Sequence, residues 1–254
     1  MANYRYFEPP IAIGGEKAVY KGVCVENGVD VVVKFLKTPY SQQDRARFAH
    51  EVERMRLANQ TAGASVAKII DHNLQFEPPF YVEEYFPDGT LAKKMQTIFG
   101  NGKVFAEGAA VGYCRQILQT LSGIHAGNQI HRDLKPANIM VRGKQMVIND
   151  MGIGRTMDRP TTLQTRAFCG TKGYAAPEQE FHTGVDHRCD LYAVGVILHE
   201  MLTKVRGQWN AITYSSNPQV VVLLNRLLAF DRNRRFATAA AAADYITAMG
   251  IATR

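Results

Sequence analysis

Apolar and polar positions divide the chain into a strand-rich first third and a helix-rich remainder. Val23-Cys-Val25 is apolar, the run Val29 to Phe35 is rich in β-branched valine, and Asn27-Gly28 between them is a strong hairpin signal. Phe80 to Glu84 reads as a further strand, and the break at Phe86-Pro-Asp-Gly89 marks a boundary between two parts of the chain. Between these strands the period changes. Ser41-Gln-Gln-Asp44 has the spacing of a capping box with Asp in place of Glu, and it predicts a helix to about Asn59. Phe48, Val52 and Met55 recur at i, i+4 and i+7 and form its buried stripe; Glu51 shares that stripe, whereas Glu53 points away. Past the boundary, Cys114, Ile117, Leu118, Leu121 and Ile124 predict a helix over 111–126. Ile139 to Val141 and Met146 to Ile148 are short strands around Arg142-Gly-Lys-Gln145. Asp190 to Leu202 is an apolar helix with an acidic start, and Thr238 caps a last helix that opens on the alanine run 239–243.

Composition narrows the picture. A length of 254 residues suits two unequal lobes or one large domain, and 46% hydrophobic with 21% charged residues describes an ordinary soluble globular protein. No stretch approaches eighteen apolar residues, so no membrane segment is expected in this chain, and the N-terminus lacks the apolar core of a signal peptide. The four cysteines lie far apart with no C-x-x-C pair, which fits free thiols in a reducing, cytoplasmic setting. The net charge of +7 comes from scattered residues, and no motif supports nucleic-acid binding.

Candidate chemistry concentrates in His131-Arg-Asp-Leu-Lys-Pro-Ala-Asn138. This stretch places a carboxylate (Asp133), an ammonium (Lys135) and a carboxamide (Asn138) within six residues. Phosphoryl transfer needs a carboxylate to accept a hydroxyl proton, a cation for the moving charge and oxygen ligands for a metal ion. Three other stretches match short sequence motifs: Val31-Val-Val-Lys34, Asp150-Met-Gly152 and Gly170 to Gln179, which contains Ala176-Pro-Glu178. A carboxylate on a buried helix face needs a cation, and Lys34 is the candidate partner of Glu51.

Together these stretches resemble the eukaryotic-like serine/threonine protein kinases, particularly their bacterial branch, from about Tyr6 to Met249. The resemblance implies an α+β, bilobal protein-kinase fold over 1–254. A small, mainly antiparallel β N-lobe with one key helix (about 1–87) would precede a larger, mainly helical C-lobe (about 88–254) with a shortened region at 203–219. It implies ATP contacts from Ile13, Gly14, Gly15, Val19, Val32, Lys34, Glu51, the backbone near Glu84 and Phe86, and Met140. Mg2+, with Mn2+ as the alternative, would sit on Asn138 and Asp150. Asp133 would take the hydroxyl proton, Lys135 would offset charge on the γ-phosphoryl group, and Thr171 would bond both. Thr165 is the favoured site of activation-segment phosphorylation, with Thr161 and Thr162 as alternatives, and Arg132 is the cation a phosphothreonine would neutralise. Asp190 would brace the catalytic loop, and Arg235 would pair with Glu178.

The expected function is transfer of the ATP γ-phosphoryl group to serine or threonine hydroxyls of protein substrates. Self-association would serve trans-autophosphorylation. A catalytically weak kinase-fold scaffold and a small-molecule phosphotransferase are the alternatives. The helix ending near Met249 suits either a stand-alone kinase or the cytosolic domain of a longer membrane protein. The chain also departs from the family pattern. Only the middle glycine of the glycine loop is present, because Ala12, Gly14 and Lys17 align with the three; Glu83 stands at the usually apolar gatekeeper position, and Val32 replaces a small alanine.

Overall fold

The Asn27-Gly28 turn closes as a hairpin: Gly28 takes a φ of 70°, and the Cys24 N–H donates to the Val29 carbonyl at 2.9 Å. Glycine is the residue that adopts this left-handed backbone without a Cβ penalty. The computed structural model describes residues 3–14, 16–151, 155–156, 170–181, 183–210, 212–214 and 216–251. The hairpin joins β3 (Lys17–Cys24) to β4 (Asp30–Leu36) at the centre of an antiparallel sheet. With β1 (Tyr4–Tyr6), β5 (Ile69–Asn73) and β6 (Phe80–Glu84) the strand order is β1-β3-β4-β6-β5, and β2 (Ala12–Ile13) folds onto β3.

Register decides which side chains share a face. Val19 lies opposite Lys34, Lys34 opposite Tyr81, and Val32 opposite Glu83. Since strand side chains alternate with period two, Lys17, Val19, Val32, Lys34, Tyr81 and Glu83 all fall on one face. Helix α1 (Gln42–Ala62) packs on that face through a cluster of Leu36, Phe48, Val52 and Tyr81. Its predicted capping box forms: the Asp44 N–H donates to Ser41 Oγ at 3.1 Å and the Ser41 N–H to Asp44 Oδ2 at 2.8 Å. The helix runs past Asn59 to Ala62 and stops where Gly63 adopts a φ of 63°. Glu51 is buried and Glu53 is exposed, as the stripe requires. Strand β5 escapes sequence reading because Ile69-Ile-Asp-His-Asn has no clean alternation and its pairing with β6 shifts register between Ile69 and Asp71.

The second lobe is built on α3 (Glu107–Ala126), which starts four residues before the predicted 111. Ile117, Leu118, Leu121 and Ile124 of α3 are fully buried in one apolar cluster with residues of α5 (Arg188–Thr203), α6 (Pro218–Leu227) and α7 (Ala239–Ala248). Each such side chain removed from water contributes about 1.5–3 kcal/mol before conformational entropy is counted. Helix α2 (Leu91–Gly100), capped by Thr90, follows the connector directly. Strands β8 (Ile139–Arg142) and β9 (Gln145–Ile148) pair in the predicted hairpin, which turns at Gly143 with a φ of 61°. Two short strands, β7 (Gln129–Ile130) and β10 (Arg155–Thr156), pair with each other in a separate sheet, and α4 (Pro177–Glu180) precedes α5. The described residues between α5 and α6 form no helix. No described helix is long and apolar enough to cross a membrane. The fold is bilobal α+β.

Candidate active site

The catalytic-loop stretch is held in a strained shape by one buried carboxylate. Arg132 adopts a φ of 67°, a left-handed conformation that costs a non-glycine residue about 1–3 kcal/mol unless its surroundings impose it. Asp190, at the start of α5, imposes it. Its Oδ2 accepts from the His131 N–H at 2.9 Å and its Oδ1 from the Arg132 N–H at 2.8 Å, while His125 Nε2 lies 2.9 Å from Oδ2. Burial works against the Asp190 charge, but the bond to His125 and the nearby His131 outweigh it and lower the carboxyl pKa. The other side of Arg132 is secured by Gln179, whose Nε2 donates to the Arg132 carbonyl at 2.8 Å. His131 supports the loop from beneath, with Nε2 3.3 Å from the Asn149 carbonyl.

This frame aims four functional groups at one point. Thr171 Oγ1 donates to Asp133 Oδ1 at 2.7 Å, Lys135 Nζ donates to Asp133 Oδ2 at 2.8 Å, and Lys135 Nζ also reaches Thr171 Oγ1 at 2.7 Å. Asn138 turns its amide nitrogen toward Asp133, donating to the backbone carbonyl at 2.9 Å. The β8–β9 hairpin then returns the chain beside Asn138, where the Asn149 N–H donates to the Asn138 carbonyl at 2.8 Å. Asp150 follows with a φ of 63°, its N–H bonded to Asn149 Oδ1 at 2.8 Å, and Met151 is fully buried.

The donor set suits a hard divalent cation. The Asn138 nitrogen points to Asp133, so its carboxamide oxygen faces the other way, and Asp150 adds a carboxylate. Mg2+ is commonly held by one or two protein oxygens together with phosphate oxygens and water. Accordingly, the described residues contain no self-sufficient cluster of three or more His, Cys, Asp or Glu.

The expected pairing of Lys34 with Glu51 does not form. Lys34 Nζ lies 2.8 Å from Glu83 Oε1, and Asn149 Nδ2 donates to the same oxygen at 3.0 Å. Glu51 instead holds Lys17, whose Nζ lies 2.6 Å from Glu51 Oε1 and 3.3 Å from Asp150 Oδ2. Tyr81 OH donates to the same Glu51 oxygen at 2.7 Å. The cause is the shared face: Lys34 and Glu83 are diagonal neighbours across β4 and β6, within reach of long side chains. Burial opposes the Lys17 charge, but Glu51 and Asp150 outweigh it and raise its pKa.

Of the remaining expected nucleotide contacts, Val32 and Phe86 are buried, Val19, Glu84 and Met140 are half-buried, and Ile13 is exposed on β2. Gly14 donates its N–H to the Lys17 carbonyl at 2.9 Å, closing the loop between β2 and β3. Glu84 gives its N–H to the Lys68 carbonyl at 3.2 Å, and the Arg142 guanidinium lies 5.1 Å above the Phe86 ring. Gly15, Thr161, Thr162 and Thr165 lie outside the described residues. Glu178 and Arg235 meet as expected, in two parallel bonds of 2.6 and 2.8 Å. Sequence reasoning missed Gln179 and the Lys17 interaction. The first carried no signal beyond its place after Ala176-Pro-Glu178; the second was visible as a lysine at a glycine position.

A family model for the protein kinase domain matches residues 8–246, so the chain belongs to that family. ATP and a divalent metal ion are the general requirements of the family. Among similar proteins, a probable serine/threonine-protein kinase of Clostridium acetobutylicum is 29% identical over 89% of this chain and 33% of its own length. The serine/threonine-protein kinase pkn3 of Myxococcus xanthus is 32% identical over 79% of this chain and 38% of its own. The serine/threonine-protein kinase PknL of Mycobacterium tuberculosis is 30% identical over 80% of this chain and 50% of its own. The chain thus spans between a third and a half of the length of these relatives.

Proposed function

We propose that the chain transfers the γ-phosphoryl group of ATP to serine or threonine hydroxyls of protein substrates. The observation that carries this reading is the triangle of Asp133, Lys135 and Thr171, with all three side chains in mutual contact. An incoming hydroxyl would bond an Asp133 carboxylate oxygen, which orients it and accepts its proton as the O–P bond forms. Lys135 would offset negative charge on the transferring group, and Thr171 would hold both in place. Asn138 and Asp150 would hold Mg2+, in preference to Mn2+, which when bound supplies charge neutralisation at the phosphates. The residues' task is then mainly positioning and electrostatics.

The anchoring of the 170–181 segment favours a protein substrate over a small molecule. Gln179 ties it to the catalytic loop and the buried Arg235 fixes Glu178, which gives the substrate-facing Thr171 a rigid base. We further propose that Thr165, or else Thr161 or Thr162, accepts phosphate from a second copy of the chain, with Arg132 pairing the product. Asp133→Asn keeps the side-chain shape but removes the proton acceptor, so phosphate transfer should fall by about 10²–10⁴ while ATP still binds. Intact mass and phosphopeptide mapping after incubation with Mg-ATP, beside a generic basic protein substrate, would read this out. Unchanged phosphorylation by Asp133→Asn would remove the assignment.

A further inference from the structure

We propose that Lys17, rather than Lys34, is the lysine that holds the α- and β-phosphates of the nucleotide, and that Lys34 serves as the buried counter-ion of Glu83. The inference rests on the kinase reading above and deepens it.

Three observations carry it. First, Lys17 Nζ bridges the α1 carboxylate of Glu51 and the metal-holding candidate Asp150, at 2.6 and 3.3 Å. A cation oriented by Glu51 and lying beside Asp150 stands where a metal-bound phosphate chain would run. Second, Lys34 is committed elsewhere. Its side chain is 8% exposed and that of Glu83 is 3% exposed, and they meet at 2.8 Å. Glu83 Oε2 has no hydrogen-bond partner among the described residues. Swinging Lys34 to Glu51 would therefore leave a buried carboxylate with only the Asn149 amide, a costly arrangement. Third, the geometry makes Lys17 a natural substitute. Val19 lies opposite Lys34, so Lys17 sits diagonally to it on the same sheet face, one pleat nearer the glycine loop. A long, flexible stem from that position reaches Glu51 from the loop side of the cleft.

The two departures from the family pattern are then coupled. A lysine where a glycine is usual adds a positive charge, and a glutamate at the gatekeeper adds a negative one. Each new charge pairs with a residue that the usual arrangement pairs differently.

The test is affinity labelling with an ATP acyl phosphate. A lysine amine at the phosphates attacks the acyl carbonyl, the carbonyl–oxygen bond to the phosphate breaks, ATP leaves and the amine proton passes to solvent. Peptide mapping of the labelled wild-type protein should place the acyl group on Lys17 and leave Lys34 unmodified. Lys17→Met should remove the Lys17 label without moving it to Lys34, whatever acylation Lys135 takes beside the γ-phosphoryl group, and phosphoryl transfer should fall by about 100-fold or more, the scale for losing one positioned electrostatic donor. The paired variant Lys34→Met/Glu83→Met, which leaves no buried charge alone, should still label at Lys17. Acylation of Lys34 in the wild type, or a Lys17→Met protein that labels at Lys34, would overturn the inference while leaving the kinase reading intact. No labelling of either lysine together with no saturable nucleotide binding would remove both.

Discussion

Replacing Arg235 with Met isolates the ion pair that anchors the segment carrying Ala176-Pro-Glu178. Its guanidinium donates to both Glu178 oxygens at 2.6 and 2.8 Å, to the Ala229 carbonyl at 2.9 Å and to the Arg188 carbonyl at 3.0 Å. The Arg235 side chain has no exposed surface and that of Glu178 is only 6% exposed. Removing the cation leaves the carboxylate buried without its partner, a change that costs about 3–5 kcal/mol. Against a total stability on the order of 5–15 kcal/mol, that is a large fraction. For a chain of this size it corresponds to a fall in Tm of about 6–20 °C. The double variant Arg235→Met/Glu178→Leu removes both charges and should recover most of the loss, because paired apolar replacement of a buried ion pair is often close to neutral. Urea unfolding suits the measurement. The single tryptophan, Trp209, meets Phe230 edge-on with ring centroids 4.8 Å apart, and the Phe230 carbonyl accepts from Arg235 at 3.3 Å, so its fluorescence reports this region while circular dichroism reports the whole chain. Coincident curves would license the free-energy comparison. A loss below about 1 kcal/mol in the single variant, or a coupling within about 0.5 kcal/mol of zero in the double-mutant cycle, would refute the reasoning.

Two further predictions concern the catalytic loop. Asp190→Asn should destabilise the protein near neutral pH by about 3 kcal/mol, since the backbone bonds to His131 and Arg132 lose their charged acceptor. The Asp190 carboxyl pKa is lowered on folding, so its contribution is present above the unfolded value of about 4 and is lost as pH falls through the folded value; the gap between variant and wild-type urea midpoints should shrink below about pH 4. A constant gap from neutral pH down to acid would contradict this. Thr171→Ala removes contacts to both Asp133 and Lys135 and should lower phosphate transfer by about 10–100-fold, whereas Thr171→Ser should restore most of it. Equal rates for the two variants would show that the hydroxyl is not what matters.

Much of this architecture was legible because local pattern and chemistry agreed. The 3.6-residue stripe of α1, its capping box and the Asn-Gly hairpin are signals that act over a few residues. The Asp133, Lys135 and Asn138 loop is likewise contiguous, so its spacing alone predicted its geometry. What escaped was set by pairing between distant segments. Strand β5 depends on β6 for its form, and the Gln179 contact with Arg132 spans a sequence separation of 47 residues.

The lysine exchange is the instructive case, because its parts were visible and its logic was not. Taken alone, Lys17 is a missing glycine in the loop pattern, and Glu83 is a polar residue at a usually apolar position. Strand parity joins them: Lys17 shares a face with Val19, Val19 lies opposite Lys34, and Lys34 is diagonal to Glu83. Two ammoniums and two carboxylates on and above one half-buried face have two neutral pairings. The helix places Glu51 at the loop side and β6 places Glu83 diagonally across from Lys34, which selects the Lys17–Glu51 and Lys34–Glu83 pairs. Two departures that each lower the match to a motif can therefore restore, as a pair, the charge balance the motif exists to provide.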